Sequence, residues 1–133
     1  MPIDSVIPYA RNPRNNASAV DSVASSLQEF GWQQPVVVDG ENVVIVGHTR
    51  LLAAKKLGME SIPVHVAESL TDAQVKAYRL ADNRVAQNAE WDIDLLAIEL
   101  GELEDMAVDL SLTGFDKDEL DQYLALDLSL IHI

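Results

Sequence analysis

A short apolar run, Val43-Val44-Ile45-Val46, leads directly into Gly47-His48-Thr49-Arg50 and then into Leu51-Leu52-Ala53-Ala54-Lys55-Lys56-Leu57-Gly58. The β-branched run suits a strand. The Leu/Ala/Lys run suits a helix stopped by glycine, so residues 47–50 must turn strand into helix. A glycine there lets other backbone or a ligand approach closely. The first helical turn offers N–H groups that the helix itself does not use, and an arginine adds a fixed positive fork. Those parts make a phosphate cradle. The same residues also fit a plain structural turn with a solvated arginine, and at this level both readings stand.

The segments around that junction alternate between strand and helix signals. Residues 3–8 read as a short strand entering Pro8, and Arg11 to Asn16 as a loop rich in Asn and Pro. Ala19, Val20, Val23, Ala24, Leu27 and Phe30 recur every three or four residues and predict an amphipathic helix closed by Gly31. Residues 34–38 and 42–46 predict a hairpin about Asp39-Gly40, and residues 62–66 predict a further strand that Pro63 confines to an edge or a strand start. The second helix is expected from about Thr49 to Leu57. Thr71 with Gln74 forms a capping box for a long helix to about Asn88, with a bend expected near Asp82-Asn83. Asp92 caps a helix striped by Ile93, Leu96, Leu100 and Leu103. Thr113-Gly114-Phe115 is a turn, and Asp116 with Glu119 caps a last short helix. The fold class is α+β: a small mixed sheet flanked by helices, followed by an acidic helical extension.

Charge separates the two parts. Residues 1–89 carry eight Lys/Arg against nine Asp/Glu, whereas residues 90–133 carry one against thirteen, giving the chain its net −13. The body is nearly neutral and can gather Arg11, Arg14, Arg50, Lys55, Lys56, Arg79 and Arg84 around an anion, while the tail repels phosphate backbones. Duplex binding depends on clustered cations, so the chain by itself is expected to be a poor DNA binder. The acidic run also fits a solvated helix face. Its 133 residues, 48% apolar, suffice for one usable core. No window approaches the ~18 apolar residues of a membrane span, and the first residues lack a signal pattern, so a cytoplasmic location is expected. The absence of cysteine removes disulfide and thiolate chemistry, and His48, His65 and His132 have no metal-ligand spacing.

Several spaced blocks together carry a resemblance. They are Asn12-Pro13-Arg14; Phe30-Gly31-Trp32; Gln34-Pro35-Val36-Val37-Val38; Val46 through Ala54; Ile62-Pro63-Val64; and Leu80-Ala81-Asp82-Asn83. In this order the chain resembles the ParB N-terminal/sulfiredoxin-like superfamily over roughly residues 3–90. The resemblance implies that Gly47, His48, Thr49 and Arg50 meet the phosphates of a nucleotide, CTP or ATP with magnesium, and that Arg14 and Asn83 complete the pocket. It also allows for a homodimer. Thr49 would offer its hydroxyl; His48 would act through its ring or serve only the turn. Gln34 matches the family pattern or merely pairs with backbone.

The departures narrow the chemistry. Sulfiredoxin-like enzymes need a cysteine in this turn; position 48 is histidine, so sulfinic acid reduction is excluded. Partition-type ParB proteins show two arginines in the turn and a longer Glu-Asn-x-x-Arg element. Here Thr49 replaces one arginine and Arg84 is out of register, which weakens triphosphate neutralisation and puts CTP hydrolysis in doubt. The acidic extension has neither the charge nor the layout expected of the helix-turn-helix DNA reader that follows in partition proteins. With Ala89-Glu90-Trp91-Asp92 after the Asp82-Asn83 pair, the chain most resembles the front module of phage and prophage DNA methyltransferases, although it has no methyl-donor loop and no Asp-Pro-Pro-Tyr-like tetrapeptide.

The expected organisation is a ParB-like domain at 1–90, an acidic helical extension at 91–127, and a tail at 128–133. That tail, Leu128-Ser129-Leu130-Ile131-His132-Ile133, breaks the acidic pattern and resembles the translation of a sequencing-adapter end, so a truncated reading frame is expected; a natural C-terminal strand is the alternative. Three functional readings follow. The first is a nucleotide- or phosphate-binding regulatory module of a DNA-modifying protein, without catalytic residues of its own, reaching DNA through a missing domain or partner. The second is a ParB-like nuclease or NTP-hydrolysing or phosphotransfer enzyme, with Asp82, Glu90, Asp92 and Asp94 as metal candidates. The third is a non-catalytic interaction scaffold.

Overall fold

The computed structural model describes residues 1–10, 17–88 and 91–131. The chain divides into two compact units, Met1–Asn88 and Ala89–Ile133. The first contains α1 (Ala17–Phe30), β1 (Val36–Val38), β2 (Val44–Val46), α2 (His48–Lys56), β3 (Val64–Val66) and α3 (Asp72–Asn88). Its sheet runs β2-β1-β3, with β1 antiparallel to β2 and parallel to β3. The mixed sheet and α+β class are as expected.

Alternation fixes which face of the sheet is buried. Val36 and Val38 are fully buried and Val37 between them is not, as the two-residue period of a strand requires. Together with Val44, Ile3, Val6 and Ile62 they form the core on which Leu51 and Ala54 of α2 rest. Ala53, on another side of α2, meets Ala24 and Leu27 of α1. Small alanines here let α1 and the sheet both pack closely against one short helix.

Local chemistry explains where the elements end. Gly31 closes α1 at a φ of 70° and Gly58 follows α2 at 71°. Between β1 and β2, the Asp39 carboxylate accepts from the backbone N–H groups of Glu41 and Val43, and Asn42 takes a φ of 67°. The reversal is therefore organised by the Asp39 side chain and is longer than a two-residue Asp-Gly hairpin. The capping box at Thr71 and Gln74 forms in both directions, at 3.2 and 2.9 Å.

Two expectations fail. Residues 3–8 are not a strand: Ile3–Ser5 form a 3₁₀ turn, and only Ile7 makes an isolated bridge, to Val43. Pro8 has no N–H with which to continue a ladder. Nor does α3 break at Asp82-Asn83. Val75 and Arg79 put their side chains on the buried face, Asp82 is exposed, and Asn83 donates to the Arg79 carbonyl at 3.1 Å, so the polar pair fits an unbroken helix. α2 also starts one residue earlier than expected, at His48.

The second unit consists of α4 (Ile93–Asp105), a 3₁₀ turn at Leu110–Thr113, and α5 (Lys117–Ile131). Asp92 accepts from Leu95 N–H at 3.2 Å, and Asp116 and Glu119 form a reciprocal capping box at 2.8 and 3.2 Å. Trp91, Phe115 and Tyr123 make a tilted aromatic chain with centroids 5.5 and 5.7 Å apart. Residues 128–131 continue α5, so the alternative of a C-terminal strand there is set aside; 132 and 133 lie outside the described residues.

Gly101 sits buried in the middle of α4, where glycine costs about 1 kcal/mol relative to alanine. Its reason is the neighbour: a Cβ there would stand 2.6 Å from Cγ of the buried Asp127 and closer still to Oδ2. Gly101→Ala should therefore lower the stability of the second unit by roughly 1–3 kcal/mol despite its better helix propensity. Chemical denaturation followed by tryptophan fluorescence would measure it, and an unchanged or raised midpoint would show that α4 and α5 have room to spare.

Candidate phosphate-binding site

The turn between β2 and α2 is where the first unit becomes concave. Gly47 has a φ of 99°, in the left-handed region that side chains rarely adopt. Space excludes a side chain as well: a Cβ would lie 3.1 Å from Arg50 Nη2 and 3.3 Å from Val36 Cα. Leu51 N–H donates to the Gly47 carbonyl at 3.0 Å, so the helix begins at once after the turn, with the positive end of its dipole beside His48, Thr49 and Arg50. These three residues are half-buried and line one cavity of 160 Å³ together with Gly47, Tyr9, Arg79, Asp82 and Asn83.

Arg50 is held loosely. Its Nη1 reaches Gln34 Oε1 and its Nη2 reaches the Pro35 carbonyl, both at 3.4 Å, at the long edge of hydrogen bonding. Its Nε is buried and has no partner among the described residues. Burial lowers the guanidinium pKa and the charge of Asp82 opposes that shift. An unpaired N–H on a buried cation is costly unless something accepts from it. Gln34-Pro35 thus seats Arg50 and does more than start a strand.

Arg79 comes from α3 and is 7% exposed. Its Nε and Nη2 donate to the Val44 carbonyl at 3.2 and 2.9 Å, and its Cζ lies 3.6 Å from the centre of the Tyr9 ring. The bond and the stack fix α3 against the end of β2. They neutralise nothing, because neither a carbonyl nor a ring carries a full negative charge. Among the described residues the only ion pair within 4 Å is Lys56 with Asp21, so both guanidiniums at the cavity keep their charge.

His48 is the first residue of α2, and burial, then Lys55, hold its imidazole below the ordinary value. Asn83 lines the cavity but turns its amide N–H onto its own helix. Arg11 and Arg14 lie outside the described residues, as does Glu90. Asp92 and Asp94 belong to the second unit, where Asp92 caps α4. Among the described residues no three Asp, Glu or His side chains are grouped to hold a metal. Sequence reasoning named Arg79 only among the available cations and missed Tyr9. The recoverable signal was an arginine one turn after Val75, on the buried stripe of α3.

A cavity of 160 Å³ is smaller than the roughly 300–1,000 Å³ of ordinary small-ligand clefts. Its size suits a small anion better than a whole nucleotide. Chemically it offers a helix N-terminus and two guanidiniums with no carboxylate within 4 Å among the described residues, with Thr49 also in the lining.

Comparison with known proteins gives the family and the fold. Residues 1–84 match the ParB N-terminal domain model, well over half the chain. The chain belongs to the ParB N-terminal domain family. Residues 94–130 match a ParB-methyltransferase HTH domain, which overturns the expectation that no helix-turn-helix layout follows the body. Charge misled that expectation, because helix-turn-helix geometry depends on packing and not on a basic surface. The ParB-like nuclease domain-containing protein YnaK of Escherichia coli K12 is 40% identical over 74 residues, covering 55% of this chain and 85% of that protein. The probable chromosome-partitioning protein ParB of Campylobacter jejuni is 33% identical over 91 residues, 65% of this chain; the match spans only 32% of that longer protein. A C-terminally truncated chromosome-partitioning protein ParB from Caulobacter crescentus, solved with CTP-gamma-S, shares the fold. Its TM-score is 0.68 at 24% identity, over 84% of this chain and 66% of that one.

Arg79 tests the site's framework. Arg79→Ala should cost about 1–3 kcal/mol, because the buried Val44 carbonyl loses both donors. Arg79→Lys should recover only part, since an ammonium cannot reproduce the two-point bond with ring stacking. Urea denaturation reads this directly, and an unaltered midpoint for Arg79→Ala would mean that α3 is held by other contacts.

Proposed function

We propose that the chain is a nucleotide-binding regulatory module of a DNA-modifying protein of the methyltransferase type, as in phage and prophage systems, and is not catalytic by itself. The observation that carries this reading is the pair of guanidiniums, Arg50 and Arg79, lining one small cavity at the N-terminus of α2 without a carboxylate partner within 4 Å among the described residues. Two cations drawn together in one partly enclosed cavity, with no carboxylate within 4 Å, favour an anion as ligand. The ligand is a nucleoside triphosphate, CTP first and ATP second. The CTP analogue bound by the Caulobacter ParB supports that order, and the ParB-methyltransferase HTH match supports the wider context.

In this reading the phosphates enter the 160 Å³ cavity against the first turn of α2. Arg50 gives up its two long bonds and turns its fork, including the buried Nε, to the phosphate oxygens. Arg79 contributes charge from a fixed position and Thr49 lines the same wall; Arg14, expected from the sequence to complete the pocket, lies outside the described residues. Asp82 would repel a bare phosphate from the rim. One carboxylate plus phosphates and water is how magnesium is commonly held, so Asp82 fits a magnesium-bound nucleotide. The module works in the cytoplasm, and DNA contact falls to the larger assembly: residues 90–133 carry one Lys/Arg against thirteen Asp/Glu, and phosphates are repelled by such a surface. The nuclease reading has YnaK's name behind it. Of its candidate carboxylates, Asp92 already serves as a helix cap.

Calorimetric titration of CTP, ATP and GTP, with and without magnesium, should show binding that Arg50→Ala weakens about ten- to a hundredfold, the worth of one charge-assisted bond. Binding equal to wild type in Arg50→Ala, or none at millimolar nucleotide in wild type, defeats the proposal.

His48 gives the site a pH dependence. Its imidazole lies below the ordinary value in the free protein, so it is largely neutral at pH 7. Bound phosphate favours the charged form and raises that pKa, so binding takes up a proton and tightens as pH falls from 8 towards 6. Titrations across that range should show a several-fold gain in affinity towards the acid end. His48→Gln should flatten the profile relative to wild type while leaving binding at pH 8 intact; parallel profiles would remove His48 from the phosphates.

A further inference from the structure

α4 carries exposed apolar side chains opposite its buried face, with Glu102 among them. At 100° per residue, Leu96, Ala97, Leu100 and Gly101 form the buried face that packs on α5. Leu95, Ile98 and Glu102 stack at i, i+3 and i+7 on the other side, and Leu95 is 59% exposed. Met106, just past the helix and 69% exposed, extends that outer stripe. Lone exposed apolar residues need no explanation, but Leu95 and Ile98 stand together on the outer face of a helix already paired on its inner face, with Met106 just beyond and the Glu102 carboxylate between. Carboxylates border the row: Asp94, Glu99 and Asp105 are all exposed.

The usual ligand of a helix-turn-helix unit does not fit this surface. The second helix of such a unit normally lies in the major groove, close to two rows of phosphates. On α5 the exposed residues include Asp118 and Asp121, and Lys117 is the one cation of residues 91–131. A second copy of the unit would bring equal negative charge against its own.

We propose that the outer face of α4 is a docking surface for a cationic amphipathic helix of a partner protein. Charge complementarity selects this occupant. Leu95, Ile98 and Met106 would receive its apolar stripe, and the flanking carboxylates would meet lysines or arginines on either side of that stripe. The surface is independent of the nucleotide cavity and of the reading proposed for it.

The test uses the whole chain and a fluorescent synthetic peptide of about 18 residues, with Leu at i, i+3, i+4 and i+7 and Lys elsewhere, followed by anisotropy. Micromolar binding is expected, and the double variant Leu95→Glu/Ile98→Glu should weaken it at least about tenfold, although it adds negative charge. Leu95→Ser/Ile98→Ser, which leaves charge unchanged, should do the same. Three results would overturn the proposal. One is no peptide binding at about 100 μM; another is binding that the Glu pair leaves unchanged or tightens, since that is attraction by charge alone. The third is retention of a duplex of about 20 base pairs at physiological salt, or self-association abolished by the same Glu pair.

Discussion

At Gly47 the backbone must leave β2 in a conformation that only glycine adopts cheaply, in a space that a methyl group cannot enter. Val36 Cα closes one side of that space and the Arg50 guanidinium the other. The core depends on this turn, because it delivers Leu51 and Ala54 to the sheet and Ala53 to α1 within two turns of helix. The cavity depends on it equally, because the same turn presents the start of α2 on the concave side. A substitution at Gly47 would therefore disturb packing and site together, and it makes a poor probe of either. Arg50 and His48 separate them better, since their side chains line the cavity without entering the core clusters.

Arg79 shows how a charge is kept inside such a small unit. A guanidinium that is 7% exposed would ordinarily need a carboxylate, and here it has a carbonyl and a ring. Those partners satisfy hydrogen bonds and geometry but leave the charge uncompensated. Arg50 is its complement: more exposed, weakly bonded, with a buried Nε awaiting an acceptor. One arginine is fixed and the other is adjustable. On the function proposed above, a phosphate chain entering between them would meet a preset field and then a side chain that can move to it, which would limit the reorganisation that binding demands.

The sequence made much of this visible for reasons that are local. Valine alternation, the glycine stops, the caps at Asp92 and Asp116 and the Thr71 box each depend on residues within four positions, and all appear as expected. The misses are non-local or competitive. Ile7 became a lone bridge because Pro8 cannot extend it, and α3 stayed whole because Asn83 found a carbonyl on its own helix. Tyr9 joined the cavity through a stack on Arg79, a contact across seventy residues that no spacing rule announces. The helix-turn-helix match failed to register because its acidity was weighed above its pattern of two capped helices about a glycine turn.

That last error is physically instructive. Two helices pack through Leu96, Ala97, Leu100 and Gly101 on α4 and the neighbouring face of α5, and this interior is indifferent to the sign of the outer charges. The surface can therefore turn acidic without loss of fold, since like-charged neighbours three or four residues apart cost only about 0.2–0.5 kcal/mol each, less than the packed interior supplies. Fold and ligand are decided on opposite faces of the same helices. In the second unit the inner faces hold together the helix pair that matches a ParB-methyltransferase HTH model, while the outer faces carry Asp94, Glu99, Asp118 and Asp121 around Leu95 and Ile98.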